Sequence, residues 1–330
     1  MQLRMIPLER NILLADRMPY RIGGQAQYFL LPKNPGEIEA AVRWAFSRNV
    51  PFLFLGAGTN MLFSETGYEG LVMQYAATEI WEESGGIRLA AGTPMEEAVD
   101  FFTARGLRDL AWAGGLPGTV GGAAFGNAGC FGGEMKDAIL EVESIAFDRA
   151  TGTVEGRRHD AADCRFAYRD SIFKSLGGEI VTSVLIRATP GDPAVIRDAV
   201  DGHREYRRRL HPLEYPSAGS TFKNIPLASV SEDVGCDFAG VVKIDPFPVI
   251  PVAAVLDRLG LKGTRIGGAE ISVKHPNFFV NRDRATFADI SGLISLAKMR
   301  AWQRYGIVLE EEIRIVRGAS LSGSGNYLAK

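Results

Sequence analysis

The stretch AGGLPGTVGGAAFGNAGCFGG, residues 113–133, contains nine glycines and few side chains able to do chemistry. Glycine has no Cβ and adopts positive φ, so the backbone N–H groups of such a loop can converge on an oxyanion. A flexible connector is the alternative interpretation of a glycine-rich segment. However, the stretch also contains Pro117, Thr119 and Phe125, which a flexible Gly/Ser linker lacks. We therefore predict an ordered loop that contacts a large, phosphate-rich ligand through its backbone.

A second glycine cluster lies upstream in PFLFLGAGTNMLF, residues 51–63. Residues 51–55 predict a short buried strand that leads directly into this second loop. Met61 stands where the dinucleotide fingerprint G-x-G-x-x-G requires its third glycine, and the chain has no G-x-x-x-x-G-K-[ST] motif. A Rossmann fold is therefore weakly supported, and a nucleoside triphosphatase loop is excluded. Two such loops indicate a long cofactor with two ends, such as a flavin dinucleotide, held between two lobes.

The composition is typical of a globular enzyme. The chain has 330 residues, of which 46% are hydrophobic and 23% charged, and this length favours about two domains. A net charge of -2 gives no overall attraction to nucleic acid. The N-terminal sequence MQLRMIPLERN has no apolar signal region, and no stretch has the apolar length that a membrane span requires. We expect a cytoplasmic protein that binds neither nucleic acid nor membrane.

Cysteine and histidine usage argues against disulfides and metal. Cys130, Cys164 and Cys236 are odd in number and widely spaced, and no C-x-x-C occurs. The four histidines are not spaced as a chelate, so we expect no metal site.

Several helix boundaries follow from capping patterns. The sequence NPGE at 34–37 predicts a helix start with Asn34 as the N-cap, and TPME at 93–96 repeats the pattern, with Gly106 ending the second helix. A third helix begins at Asp192-Pro193, becomes basic over residues 204–209 and ends at His211-Pro212.

The remaining chain alternates between strand and helix patterns. Residues 133–190 predict a strand-rich section, and an apolar run at 249–259 ends at Gly260. A long helix is predicted from Thr286 to Gly306, followed by a last strand at 307–316. Residues 318–330 are polar and predict a mobile tail. The order of elements indicates an α+β protein with at least two lobes.

Six motifs carry a resemblance to a known family. They are YRIGG at 20–24, GAGTNML at 56–62, GLPGTVGGAAFGNAG at 115–129, YRDSIFK at 168–174, PSAGSTFKN at 216–224 and LEEEIRIV at 309–316. In this order the chain resembles the UDP-N-acetylenolpyruvoylglucosamine reductases over nearly its whole length.

The resemblance implies a fold and a division into domains. The fold class is α+β, with a two-lobed FAD-binding domain of the vanillyl-alcohol-oxidase-like (PCMH-type) fold and an α+β substrate-binding domain. Residues 1–75 would form the first FAD-binding lobe, to which a strand at 307–317 returns, and residues 76–190 the second. Residues 200–306 would form the substrate-binding domain, and residues 318–330 the mobile tail.

The resemblance also implies an activity. These flavoproteins use NADPH and non-covalent FAD to reduce UDP-N-acetylglucosamine enolpyruvate to UDP-N-acetylmuramate. The product serves peptidoglycan synthesis, and so cell wall biogenesis, cell shape and cell division. We expect a monomer.

Three catalytic residues are carried over from the family motifs. Reduction of the enolpyruvyl group leaves an enolate-like dianion beside the carboxylate, so the site needs a cation and a proton donor. Arg169 of YRDS would bind and stabilise the carboxylate, and Ser220 of PSAGS would deliver the proton. Glu312 would polarise the carboxylate, either protonated or through water. The motif reads LEEE without the proline that usually sets its register, so Glu310 is the alternative.

Binding residues are carried over in the same way. The predicted FAD-binding residues are Gly56, Ala57, Gly58, Thr59, Asn60, Met61, Gly115, Pro117, Gly118, Thr119, Gly122, Ala123, Asn127 and Gly129. The predicted substrate-binding residues are Tyr168, Lys223, Asn224, Arg265, Lys274, His275 and Asn277. The basic run at 204–209 has two interpretations, attraction of the UDP diphosphate or the solvated face of a helix.

One departure from the family and two alternative functions remain. Residues 225–249 form an insertion beside the substrate lobe, where they would alter access, partner contacts or substrate choice. The alternatives are another flavin oxidase or dehydrogenase of the same fold, and a non-catalytic nucleotide-sugar or flavin-binding protein.

Overall fold

The computed structural model describes residues 7–244 and 247–318. Apart from Gly318, the predicted tail lies outside the described residues. The helices, in chain order, are α1 (Pro35–Ser47), α2 (Met95–Ala104), α3 (Val120–Phe125), α4 (Met135–Ala138), α5 (Ile172–Ser175), α6 (Pro193–Leu210), α7 (Glu232–Phe238), α8 (Val252–Arg258) and α9 (Phe287–Tyr305). The strands are β1 (Glu9–Leu13), β2 (Gln25–Leu30), β3 (Phe52–Leu55), β4 (Met61–Phe63), β5 (Tyr68–Gln74), β6 (Ile80–Glu83), β7 (Gly86–Ala90), β8 (Gly129–Cys130), β9 (Gly133–Glu134), β10 (Ile139–Asp148), β11 (Thr153–Asp160), β12 (Glu179–Arg187), β13 (Ser217–Ser220), β14 (Ile225–Pro226), β15 (Val249–Ile250), β16 (Arg265–Ile266), β17 (Ala269–Ile271), β18 (Phe278–Asn281) and β19 (Arg314–Val316).

The first sheet positions the first glycine loop. Its strand order is β1-β2-β5-β3, with β2, β5 and β3 parallel to one another and β1 antiparallel to β2. The predicted strand at 51–55 is confirmed as β3, whose end leads into Gly56. The predicted start of α1 is also confirmed, because the Asn34 side chain accepts from the Glu37 N–H at 3.0 Å.

The second sheet accounts for the strand-rich section. Five antiparallel strands pair in the order β11-β10-β12-β7-β6. The short helix α3, which lies inside the glycine-rich stretch, packs on β12. The predicted basic helix is confirmed as α6, capped by Asp192, and it packs against α2.

The start of α2 differs from the prediction. Thr93 does not cap this helix, and its buried Oγ1 has no partner among the described residues. Instead the Met95 N–H donates to the carbonyl of Gly118 at 3.0 Å, and the Val120 N–H donates to the carbonyl of Thr93 at 2.9 Å. The second glycine loop thus satisfies the helix terminus, and the loop is fixed to α2 in return.

A third sheet carries the PSAGS motif. Its strands pair antiparallel in the order β13-β18-β17-β16, and Ser220 lies opposite Phe278. The predicted long helix is confirmed as α9, which has a Thr286–Asp289 capping box and ends at Gly306 with φ +65°. The predicted end of the apolar run at Gly260 is a left-handed residue with φ +67°.

The last strand is shorter than predicted. Only Arg314–Val316 forms a strand, which pairs in parallel with Met61–Phe63. The preceding residues pair with the segment after Ser220: the Lys223 N–H donates to Glu310 and the Glu312 N–H donates to Thr221. These local bonds replace a regular ladder and bring the LEEE motif to the PSAGS loop.

Three clusters of buried side chains form the core. One joins the first sheet to β4, around Phe29 and Phe63, and a large one, including Val42 and Val184, joins α1 to the second sheet. The third joins the third sheet to α8 and α9. The domain boundaries stay a prediction.

Candidate active site

A cleft of about 1280 Å³ is lined by both glycine loops and by the third sheet. This volume exceeds the usual range of about 300–1,000 Å³ for a small-molecule pocket. The predicted FAD-binding residues that line it are Gly56, Ala57, Gly58, Thr59, Asn60, Met61, Gly115, Pro117, Gly118, Thr119, Gly122, Ala123 and Gly129. Asn127 does not line the cleft. Its fully buried amide donates to the Ala167 carbonyl and accepts from the Lys136 N–H. Asn127 therefore fixes the loop through hydrogen bonds inside the protein.

The two glycine loops contact each other. A Cβ on Gly56 would lie 2.5 Å from Thr119 Oγ1, a distance that real contacts do not show. Gly58 and Gly118 have φ of +69° and +109°, conformations that residues with a side chain rarely adopt. The loops therefore need glycine both for their approach and for their backbone shape.

The cleft suits a phosphate-bearing aromatic cofactor. Phe52, Phe54, Tyr75 and Phe147 line it with apolar and aromatic surface, which fits a planar ring. Arg314 also lines it, and its buried Nη2 has no hydrogen-bond partner among the described residues, although the guanidinium lies over the Phe125 ring at 5.3 Å. Burial lowers the pKa of Arg314 to about 10, a sign that its charge lacks an anion from the protein. These residues fit FAD. Arg314 was missed in the site prediction, although it stands within the quoted LEEEIRIV motif as a cation in an apolar strand.

Arg169 is held in a defined position at the cleft. Its Nε donates to Glu312 Oε1 at 2.9 Å, and its Nη2 donates to the Gly129 carbonyl at 2.7 Å. Its backbone has φ +57°, and Lys174 Nζ donates to its carbonyl at 2.5 Å. Burial opposes the charge of Arg169, but the Glu312 carboxylate, through its charge and its hydrogen bond, raises the pKa of the Arg169 guanidinium above the usual value. Lys174 lines the cleft, and burial and the nearby Lys223 lower its pKa. It too was missed, although it ends the YRDSIFK motif.

Glu312 connects three of the quoted motifs. Its side chain pairs with Arg169, and its carbonyl accepts from Asn60 Nδ2 at 2.9 Å. Its N–H donates to the Thr221 carbonyl at 2.8 Å, next to Ser220. The carboxylate therefore contacts a guanidinium in this structure. The alternative residue, Glu310, lies outside the cleft and pairs with Lys223 at 2.5 Å.

Ser220 lines the cleft at the end of β13. Within the described part of the chain its Oγ makes no hydrogen bond, so the hydroxyl is available to a ligand. The next turn is rigid because the Asn277 amide accepts from the Phe222 N–H and donates to the Phe222 carbonyl. The buried Asn277 thus lines the cleft, but its amide is engaged by the protein.

The other predicted substrate-binding residues divide into two groups. Tyr168, Asn224 and His275 line the cleft together with Asn277. Lys223, Arg265 and Lys274 do not, and each has a partner elsewhere: Glu310, Glu270 and the Arg208 carbonyl, respectively. Of the basic run at 204–209, Arg207 lines the cleft, whereas Arg204 pairs with Glu96 and Asp100 on α2.

Two histidines line the cleft in contact with each other. The ring centroids of His211 and His275 lie 5.4 Å apart. Burial, reinforced by nearby cations, lowers the pKa of each to about 4, so both are neutral at physiological pH. His211 was missed because its pattern marked only a helix end.

The described residues contain neither a metal-ligand cluster nor a helix suited to crossing a membrane. Residues 7–244 and 247–318 contain no group of three or more His, Cys, Asp or Glu side chains placed to hold a metal ion. None of their helices combines the length and the apolar character needed to cross a membrane.

Comparisons with known proteins agree with this geometry. Residues 26–155 match a family described as an FAD binding domain, and residues 211–316 match the C-terminal domain of UDP-N-acetylenolpyruvoylglucosamine reductase. Fold and site thus define an FAD-dependent oxidoreductase with a two-lobed FAD-binding domain of the vanillyl-alcohol-oxidase-like fold, as predicted.

Relatives along the whole chain identify the family. A UDP-N-acetylenolpyruvoylglucosamine reductase from Synechococcus sp. (strain JA-3-3Ab) is 34% identical over 94% of this chain and 91% of its own. One from Anaeromyxobacter sp. (strain Fw109-5) is 37% identical over 93% and 88%. The crystal structure of the enzyme of this name from Thermus caldophilus matches with a TM-score of 0.74 at 27% identity, over 94% of this chain and 100% of its own. The chain belongs to the UDP-N-acetylenolpyruvoylglucosamine reductase family.

Proposed function

We propose that this protein reduces UDP-N-acetylglucosamine enolpyruvate to UDP-N-acetylmuramate in peptidoglycan precursor synthesis, with NADPH as the reductant. The observation that carries the proposal is the convergence of Arg169, Glu312 and Ser220 on the cleft that both glycine loops line. The enzyme would act in the cytoplasm. We propose that it acts as a monomer, and the site is compatible with this because one chain provides every one of these groups.

Backbone N–H groups and one half-buried cation would hold the cofactor. The loops at 56–61 and 115–123, with Gly129, would contact the diphosphate and ribose of FAD, and Arg314 would offer a charge to its polar part. When bound, FAD carries two electrons from NADPH to the substrate.

Arg169 would bind the substrate carboxylate. Its Nε and Nη2 are engaged by Glu312 and Gly129, which fixes the plane of the guanidinium and leaves Nη1 for the substrate. Charge that develops on the carboxylate during reduction is then stabilised by a cation that does not need to reorient. Glu312 would position Arg169 through the ion pair.

Ser220 would deliver the proton to the substrate carbon. A hydroxyl is a weak acid, so the site must stabilise the alkoxide that forms. Arg169, Lys174 and Arg314 line the same cleft and supply positive charge.

The proposed domains correspond to the three main sheets. Residues 1–75 and 76–190 would be the two FAD-binding lobes, with the C-terminal strand at 307–317 returning to the first. Residues 200–306 would bind the substrate. The strand pairing of β19 with β4 supports the return.

Colour changes of the bound flavin test the activity. The FAD-loaded protein should be yellow, NADPH should bleach it, and the enolpyruvyl sugar should restore the colour while plain UDP-N-acetylglucosamine should not. Rapid reoxidation by oxygen alone would favour a flavin oxidase. A protein that cannot be loaded with FAD would overturn every flavin-dependent function.

Substituting Ser220 separates the two half-reactions. Ser220→Ala should leave reduction by NADPH intact and slow reoxidation by the substrate at least about 10²-fold, because only the second half-reaction needs the proton. Stopped-flow absorbance measures both rates. Ser217→Ala is the matched control: this hydroxyl also lines the cleft, and its one hydrogen bond among the described residues is a 3.5 Å bond accepted from the Gly219 N–H of its own loop. Equal slowing of both half-reactions would contradict the role of Ser220.

A further inference from the structure

The insertion at 225–249 is anchored to the third core. Its two ends pair as β14 and β15, so the segment leaves the fold and returns at the same point. Phe238 is fully buried, and its ring centroid lies 5.2 Å from that of Tyr305 on α9. Arg258 on α8 donates to the Asp237 carbonyl at 2.5 Å. The insertion is therefore a packed part of the substrate-side domain.

The returning end of the insertion reaches the cleft. Lys243 lines the cleft, and its backbone exchanges two hydrogen bonds with Val249, at 2.9 and 2.8 Å. Close by in sequence, the Phe247 ring centroid lies 5.1 Å from that of Tyr168, the neighbour of Arg169. The inserted segment thus forms part of the cleft wall. It also contacts the YRDSIFK motif, which contains Arg169.

The charge of Lys243 has no carboxylate partner within 4 Å in the described part of the chain. Neighbouring lysines differ in this respect: Lys262 pairs with Asp257 at 2.9 Å, and Lys274 Nζ lies 3.5 Å from a Glu214 oxygen. The adjacent His275 is neutral at physiological pH because burial and the Lys243 charge lower its pKa to about 4. Lys243 therefore offers the cleft a cation that the described protein groups do not neutralise.

The ligand chemistry follows from the layout of the cleft. Arg169 and Ser220 occupy the part where the carboxylate and the reacting carbon must lie, so the nucleotide end of the substrate extends away from them. A lysine amine at a cleft wall, with no carboxylate partner among the described residues, suits a phosphate oxygen, since an ammonium binds phosphate as a point charge.

We propose that Lys243, supplied by the inserted segment, binds the diphosphate of the nucleotide-sugar substrate. This inference rests on the proposed function for the identity of the substrate. NADPH also contains a diphosphate, so the test must distinguish binding of the nucleotide sugar from binding of NADPH.

Ligand binding to the FAD-loaded enzyme tests the proposal without turnover. Lys243→Ala should weaken binding of UDP, measured by calorimetry, about tenfold, equivalent to about 1.4 kcal/mol. Binding of uridine, which has no phosphate, should not change. Lys243→Arg should retain most of the UDP affinity, and added salt should reduce the difference between wild type and Lys243→Ala. Lys262→Ala is the matched control, because this lysine has a carboxylate partner and does not line the cleft.

Steady-state kinetics distinguish a contact with the sugar substrate from a contact with NADPH. In Lys243→Ala the half-saturating concentration of the enolpyruvyl sugar should rise about tenfold with little change in the limiting rate, while that of NADPH should not change. Equal UDP affinity in wild type and Lys243→Ala would overturn the proposal, as would equal losses for UDP and uridine or a loss confined to NADPH. If the sugar fails to reoxidise the wild-type flavin, the proposed function is wrong, and the UDP titration still tests Lys243 separately.

Discussion

The Arg169–Glu312 pair shows how one residue position depends on several distant ones. Arg169 adopts φ +57°, which costs a residue with a side chain on the order of 1–3 kcal/mol. Lys174 donates to its carbonyl and Glu312 pairs with its side chain, so contacts at both ends of the residue oppose relaxation. The strain is consistent with a guanidinium placed for function rather than for local stability.

The two glutamates of the LEEE motif provide a matched pair of variants. Glu312→Gln should slow substrate-driven reoxidation of the flavin about 10²-fold, because an amide does not hold the guanidinium as an ion pair does. Glu310→Gln should change this rate by about twofold at most, since its carboxylate is mostly exposed and pairs only with Lys223. Stopped-flow absorbance gives both rates. The opposite order would assign the role to Glu310.

At the scale of elements, the glycine loops and the helices depend on each other. The loop after β3 lies against Thr119, and Thr119 Oγ1 accepts from the Gly122 N–H as the N-cap of α3. The same loop region completes the start of α2 through the Gly118 carbonyl. A change in one loop is therefore transmitted to two helix termini.

Gly56→Ala tests this dependence. The new Cβ would lie 2.5 Å from Thr119 Oγ1, so the loops must separate or the cap must break, at a cost of about 1–2 kcal/mol. FAD affinity, measured by fluorescence titration, should fall about tenfold or more. Gly156→Ala on β11 is the control, because a Cβ there meets nothing within 4 Å. Unchanged FAD affinity in Gly56→Ala would show that the cofactor does not depend on the loop contact.

At the scale of the whole molecule, the cleft joins parts of the chain that are packed in different cores. His211 follows α6, whose Val200 belongs to the core cluster that contains the second sheet, whereas His275 precedes β18 of the third sheet. The two rings meet at the cleft, where burial is the main cause of their low pKa values. Protonation of either ring places a charge at this junction.

Stability should therefore fall as the pH drops from 6.5 towards 4. The pKa of each histidine is about 4 in the folded protein and 6.5 in the unfolded chain, so the unfolded state binds more protons in this window. The free energy of unfolding, measured with urea, should decrease by about 1 kcal/mol per histidine between pH 7 and pH 5, allowing for partial exposure.

A variant isolates this contribution from that of the carboxylates. The double variant His211→Gln/His275→Gln should lose less stability than wild type over the same pH range. Parallel pH profiles for the two proteins would contradict the low pKa values.

The sequence was sufficient for features with a local physical cause. The boundaries of α1, α6 and α9 follow from capping residues and helix-ending glycines, and both glycine loops follow from glycines whose effect on φ is local. The family motifs also predicted the flavin chemistry, which the match to an FAD binding domain confirms, whereas the division into lobes stays a prediction. By contrast, Lys223, Arg265 and Lys274 were expected at the ligand, and each has a partner outside the cleft.

The three-dimensional arrangement settled which charges face the cleft. Arg169 meets Glu312 across 143 positions of sequence, Arg314 Nη2 is buried without a hydrogen-bond partner among the described residues, and Lys243 reaches the cleft wall. The physical reason is that desolvation and ion pairing depend on neighbours in space. A motif gives the identity of a charged residue, whereas packing decides whether a carboxylate of the protein or a ligand neutralises it.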